Sequence, residues 1–100
     1  MIAPAPIAKY REIIAATLPR LRQIYGVASL GIFGSRVRGD QRPDSDLDLL
    51  VSFDRAPGML AYLSLEQELS DCLGVKVDLV MANALDPRVA DRVRAEVEPV

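Results

Sequence analysis

Ten residues separate Gly34-Ser35 from Asp46-Leu47-Asp48, and that spacing limits the fold more than any other feature of the chain. Leu30-Gly31-Ile32-Phe33 is an apolar run of strand type that ends in the Gly34-Ser35 turn. Ser35 to Gly39 has room for a turn or two of helix. Ser45-Asp46-Leu47-Asp48-Leu49-Leu50-Val51 alternates carboxylates with leucines. Read as a strand over Asp46 to Phe53, it sends Asp46 and Asp48 to one side and Leu47 and Leu49 to the other. A strand, a glycine turn, a short helix and a second strand imply a sheet with one face in a core and one face carrying charge.

The rest of the chain fits around that unit. Ile13, Ile14, Leu18, Leu21 and Ile24 have the spacing of one helical face over Ile7 to Tyr25. Pro19 predicts a kink there or two abutting helices, and Gly26 closes the segment. Met59 to Leu73 is an amphipathic helix with Leu65, Leu69, Cys72 and Leu73 on its apolar side, ended by Gly74. Val75 to Met81 reads as a third strand with Asp78 at its middle. Asp86-Pro87 has the form of a helix cap followed by proline at the first helical position. The last helix then runs to about Val97, with Val89, Val93 and Val97 along one stripe. The expected fold is α/β (α+β), a small mixed three-stranded sheet packed with helices, in a single domain over residues 1–100.

The charged side of the second strand suggests chemistry. Strand residues two apart lie roughly 6.6 Å apart on one side. Their carboxylates can converge on metal ions spaced about 3.5–4 Å, as in two-metal phosphoryl transfer. Magnesium takes one or two carboxylates together with substrate phosphates. No lysine or arginine lies in that strand to neutralise Asp46 and Asp48, so a metal is the economical counter-charge. Asp78, on a neighbouring strand, is the candidate third carboxylate. Gly34 lets the backbone approach a phosphate closely, and Ser35 adds a hydroxyl donor. The end of so short a helix contributes only about 0.3–1 kcal/mol per charge. Arg36 and Arg38, with Arg42 nearby, are the candidate cations for the remaining phosphate charge. No Gly-Lys-Ser/Thr follows the glycine, so this is not a P-loop.

Composition narrows the partners. Net charge is −2 with a pI near 5.0, which does not fit a dedicated nucleic-acid binder. A single cysteine, Cys72, excludes an internal disulfide and fits a reducing compartment. Met1 to Ala8 lacks the charged and apolar regions of a signal peptide, and no apolar run approaches membrane-spanning length. These features point to a cytoplasmic protein without a membrane partner. Cys72, the valine stripe and Tyr10, Tyr25 and Tyr62 read as packing residues.

Phe33-Gly34-Ser35-Arg36-Val37-Arg38-Gly39, Ser45-Asp46-Leu47-Asp48-Leu49-Leu50-Val51 and Val77-Asp78-Leu79-Val80 together resemble the polymerase-β-type nucleotidyltransferase superfamily. Within it they are similar to the smallest branch, the minimal nucleotidyltransferases, over roughly Gly26 to Val97. That branch usually has alanine where this chain has Val37. The resemblance implies a nucleoside triphosphate held at Gly34 and Ser35, and two magnesium ions. Asp46 and Asp48 would ligate both ions, and Asp78 would ligate the catalytic one and help deprotonate the attacking hydroxyl. It further implies an antitoxin that transfers AMP from ATP to a tyrosine hydroxyl of a HEPN-type toxin. The alternative is a non-catalytic module that neutralises its partner by occlusion. A third reading, a catalytic fragment acting on nucleic acid or small molecules, finds no basic face or acceptor domain to support it.

Overall fold

A computed structural model describes residues 6–100; the reading of the Met1–Ala8 start falls largely on residues 1–5, which lie outside them. The first helix, α1 (Ile7–Tyr25), buries Tyr10, Ile14, Leu18 and Leu21, one residue per turn along a single stripe. Ile24, expected on the same stripe, is 55% exposed in the last turn. Pro19 does not divide the segment, and α1 is one helix through it. Pro19 and Ala15, whose carbonyl loses its partner, are both exposed, so the freed carbonyl is on the solvent side of the helix. Gly26 ends α1 in the left-handed region and returns its N–H to the Arg22 carbonyl.

The chain then forms β1 (Val27–Phe33), a one-turn helix α2 (Ser35–Arg38) and β2 (Leu47–Phe53). Helix α3 (Met59–Leu73) leads to β3 (Val77–Met81), and a 3₁₀ turn at Ala82–Ala84 leads to α4 (Pro87–Glu96). As expected, the Asp86 side chain caps α4 by accepting from the Arg88 N–H, with Pro87 opening the helix. The sheet has four strands, in the order β3-β2-β1-β4, rather than three. The additional strand, β4 (Glu98–Pro99), pairs antiparallel with β1, Ile32 facing Glu98 and Gly31 facing Pro99. β1 and β2 are antiparallel, whereas β2 and β3 are parallel.

One face of the sheet is dry. Leu30 and Ile32 of β1, Leu47, Leu49 and Val51 of β2, and Val77 and Leu79 of β3 join the α1 and α3 residues in a single apolar cluster. Cys72 is not part of it: the thiol is exposed, with Sγ 3.8 Å from Thr17 Oγ1, because its helical position lies at the rim of the α1–α3 contact. The outer edge of β3 is closed by side chains of α3. Glu66 Oε2 accepts from the Leu79 N–H at 2.8 Å, and the Tyr62 hydroxyl donates to the Leu79 carbonyl. The opposite face of the sheet is only partly covered, where Val97 sits over Gly31 so closely that a side chain there would collide with it.

Candidate active site

The site lies at one end of the sheet, where β1 ends and β2 and β3 begin. Alternation along β2 sends Asp48 to the open face while Leu47 and Leu49 are fully buried behind it. The parallel register sets Asp48 directly beside Asp78, and neighbouring strands lie about 4.8 Å apart. Asp46 stands one residue before β2 rather than inside it, the ladder beginning with the Leu47 N–H donating to the Lys76 carbonyl at 2.8 Å. Asp46 and Asp48 are half-buried, and Asp78, on the edge strand, is exposed.

Gly34 closes the site from above. Its backbone has φ 88° and ψ −158°, a region that essentially only glycine occupies. An added Cβ would land on the Asp48 carboxylate. The turn therefore passes over Asp48 as closely as a backbone can. Ser35, half-buried, opens α2 immediately afterwards.

The electrostatics follow from this crowding. The Asp48 carboxyl is pushed up to about 6, first by burial and then by the negative charges of Asp78 and Asp46, with Arg38 opposing. Among the described residues no three carboxylate, imidazole or thiol groups converge into a ready-made metal cage. Magnesium does not need one, because it completes a shell of one or two carboxylates with water and phosphate oxygens. Asp48 with its neighbours has the donor chemistry and the unmet counter-charge that such an ion satisfies.

The two arginines of α2 part company. Arg38 is half-exposed at the site and donates to Asp40 and to Glu96, at 3.2 and 2.8 Å. Arg36 is not brought to the open cluster. Its side chain is buried, with its guanidinium 5.7 Å from the centre of the Tyr10 ring and Nη2 donating to the Ser45 carbonyl at 2.6 Å. Its Nε and Nη1 have no hydrogen-bond partner among the described residues. From there Arg36 clamps the residue immediately before Asp46, so it shapes the site from beneath rather than facing it. Tyr10, read from sequence as packing, is the surface it lies on.

Sequence reasoning missed Glu96. Its Oε2 accepts from the Gly34 N–H at 2.8 Å while its Oε1 takes Arg38. Burial pushes the Glu96 carboxyl up, but the hydrogen bonds from Arg38 and Gly34 outweigh that and hold it below its usual value. The available signal was its place in α4: a carboxylate at the last helical position opposes the helix dipole, so local preference does not explain it.

The nucleotidyltransferase domain family matches this chain over residues 14–98. The protein adenylyltransferase MntA of Thermococcus cleftensis is 40% identical over 96 residues, which cover 96% of this chain and 97% of that one. A solved structure described as a candidate minimal nucleotidyltransferase superposes with a TM-score of 0.72 at 34% identity, covering 94% of this chain and 91% of its own. The fold also matches, at a TM-score of 0.65 and 21% identity, a complex of a tri-AMPylated Shewanella oneidensis HEPN toxin with an MNT antitoxin, over 90% of this chain and 70% of that one. With Asp48 and Asp78 abreast beneath a glycine turn and a match along nearly the whole chain, this protein belongs to the nucleotidyltransferase domain family, in its minimal branch, and is a nucleotidyltransferase.

Proposed function

We propose that the chain transfers AMP from ATP to a tyrosine hydroxyl of a HEPN-type toxin partner in the cytoplasm, and so acts as the toxin's antitoxin. One observation carries the reading: Asp48 is half-buried, flanked by Asp78 and Asp46, and crossed by a glycine turn so close that no side chain fits between them. Carboxylates set beside one another repel unless a cation joins them. A kinship to a relative named as a protein adenylyltransferase supports AMP as the group transferred and protein as the acceptor.

In this reading Asp46, Asp48 and Asp78 hold magnesium, two ions in the full site, which supplies charge neutralisation at the phosphates. Gly34 and Ser35 take the phosphate oxygens through backbone N–H groups and the Ser35 hydroxyl. Arg38, half-exposed at the site, adds a cation there, whereas Arg36 fixes the Ser45–Asp46 turn. The acceptor oxygen bonds to the α-phosphorus as the bond to the leaving pyrophosphate breaks. Asp78, which is exposed on the edge strand, would take the hydroxyl proton from an incoming partner. No helix among the described residues is long and apolar enough to cross a membrane.

The test is an intact-mass measurement on the co-expressed partner after incubation with this chain and Mg-ATP. The reading predicts AMP-sized increments on the partner, lost when its tyrosines are replaced. An unmodified partner that is nonetheless neutralised would favour occlusion instead.

A further inference from the structure

Two of the donors assigned above to nucleotide phosphate, the Gly34 N–H and Arg38, are already in use. Glu96 engages the Gly34 N–H with one oxygen and Arg38 with the other, both at 2.8 Å. The remaining Arg38 contact, from Nε, goes to Asp40. A backbone N–H beside an arginine is a donor set suited to a phosphate oxygen, and a carboxylate satisfies it in the same way. The Glu96 side chain is only 12% exposed, so this is a seated group and not a passing surface contact.

The fold delivers Glu96 to that position. β4 pairs with β1 so that Ile32 faces Glu98 and Gly31 faces Pro99, and continuing the register sets Glu96 opposite Gly34. Val97 over Gly31 pins the intervening step. The end of α4 and the last strand therefore act as an arm whose tip reaches the glycine turn. Glu96 also adds a fourth negative charge beside Asp48, in a cluster that a triphosphate must enter. A phosphate oxygen cannot take the Gly34 N–H while Glu96 holds it.

Resting on the nucleotide-binding reading above, we propose that Glu96 is an internal occupant of the phosphate donors, and that a nucleoside triphosphate binds by displacing it. Glu96 then sets nucleotide affinity and couples the tip of α4 and β4 to loading of the site. A residue that merely braced the turn would act in the opposite direction, since removing it would loosen the cradle and weaken binding.

Glu96→Gln separates the two. It keeps the side-chain volume and an acceptor for the Gly34 N–H but removes the charge that holds Arg38; Glu96→Ala serves as the second variant. Calorimetric titration with a non-hydrolysable ATP analogue and magnesium should show binding about tenfold tighter than wild type, equivalent to about 1.4 kcal/mol. Thermal melts should show the variant below wild type without nucleotide and gaining the larger shift with it. A purely structural role would lower both melts alike. If wild type binds and neither variant binds more tightly, this inference falls while the nucleotide reading stands. If no form binds the magnesium nucleotide, the nucleotide reading falls and this inference with it.

Discussion

β2 has two faces that obey different rules. Leu47, Leu49 and Val51 are fully buried among the residues of α1 and α3, whereas Asp48, one step along, lies under a glycine turn with Asp78 at its side. On the first face every neighbour supports the fold. On the second, carboxylates crowd together against their own electrostatics, and Gly34 adopts a backbone that other residues avoid. The difference teaches where stability and activity reside: the dry face supplies the free energy that lets the open face stay poorly satisfied until a ligand arrives. The sharpest ways to break this comparison place comparable substitutions on the two faces.

The largest effect belongs to the dry face. Leu49→Ala should lower unfolding stability by about 2–5 kcal/mol, read from urea denaturation. Nucleotide affinity per folded molecule should stay close to wild type, and a specific loss of binding would show that the two faces are not separable. Gly34→Ala comes next. The strained φ costs about 1–3 kcal/mol, and the new Cβ meets Asp48 as well. Stability and magnesium-nucleotide binding should therefore fall together, and a variant that binds normally would contradict the close approach of the turn.

Asp48→Asn should go the other way. The folded carboxyl titrates near 6, above its ordinary 3.8, so the folded state binds the proton more tightly than the unfolded one. Its contribution therefore favours folding most below about pH 4 and declines as pH rises through 6. The variant lacks that decline. In chelator at pH 7 it should be more stable than wild type by about 1 kcal/mol, the full shift being cut by solvent at a half-exposed group. It should gain nothing from Mg-ATP. The difference between the two stability–pH curves isolates Asp48, and parallel curves would refute the crowding. Cys72→Ala, at the rim of the dry face, should change stability by no more than about 0.5 kcal/mol in the same denaturation assay. A larger loss would return Cys72 to the core.

Much of this contrast was legible in the sequence, because it rests on period. The two-residue alternation of Asp46-Leu47-Asp48-Leu49 and the glycine stops at Gly26 and Gly74 are local signals, and the structure places strand and helix ends within a residue or two of them. What escaped depends on partners far along the chain. β4 is two residues long and exists only through its pairing with β1. Glu96 reaches Gly34 by that same pairing across 62 positions. Arg36 looked like Arg38, since two residues along a short helix decide which of them meets Tyr10 and which meets solvent. Pro19 was expected to kink the first helix or divide it in two; it does not divide it, and its exposed position makes the lost hydrogen bond tolerable.

The most direct test of the central claim, that the open face is a carboxylate site completed by metal and nucleotide together, is a pair of thermal melts of the wild-type protein. One contains ATP with a chelator, the other ATP with magnesium. The account predicts little change in the first, where phosphates meet bare carboxylates. In the second it predicts a clear rise, about 2.7 kcal/mol of added stability at one hundred times the dissociation constant. Equal melting temperatures in the two would contradict it.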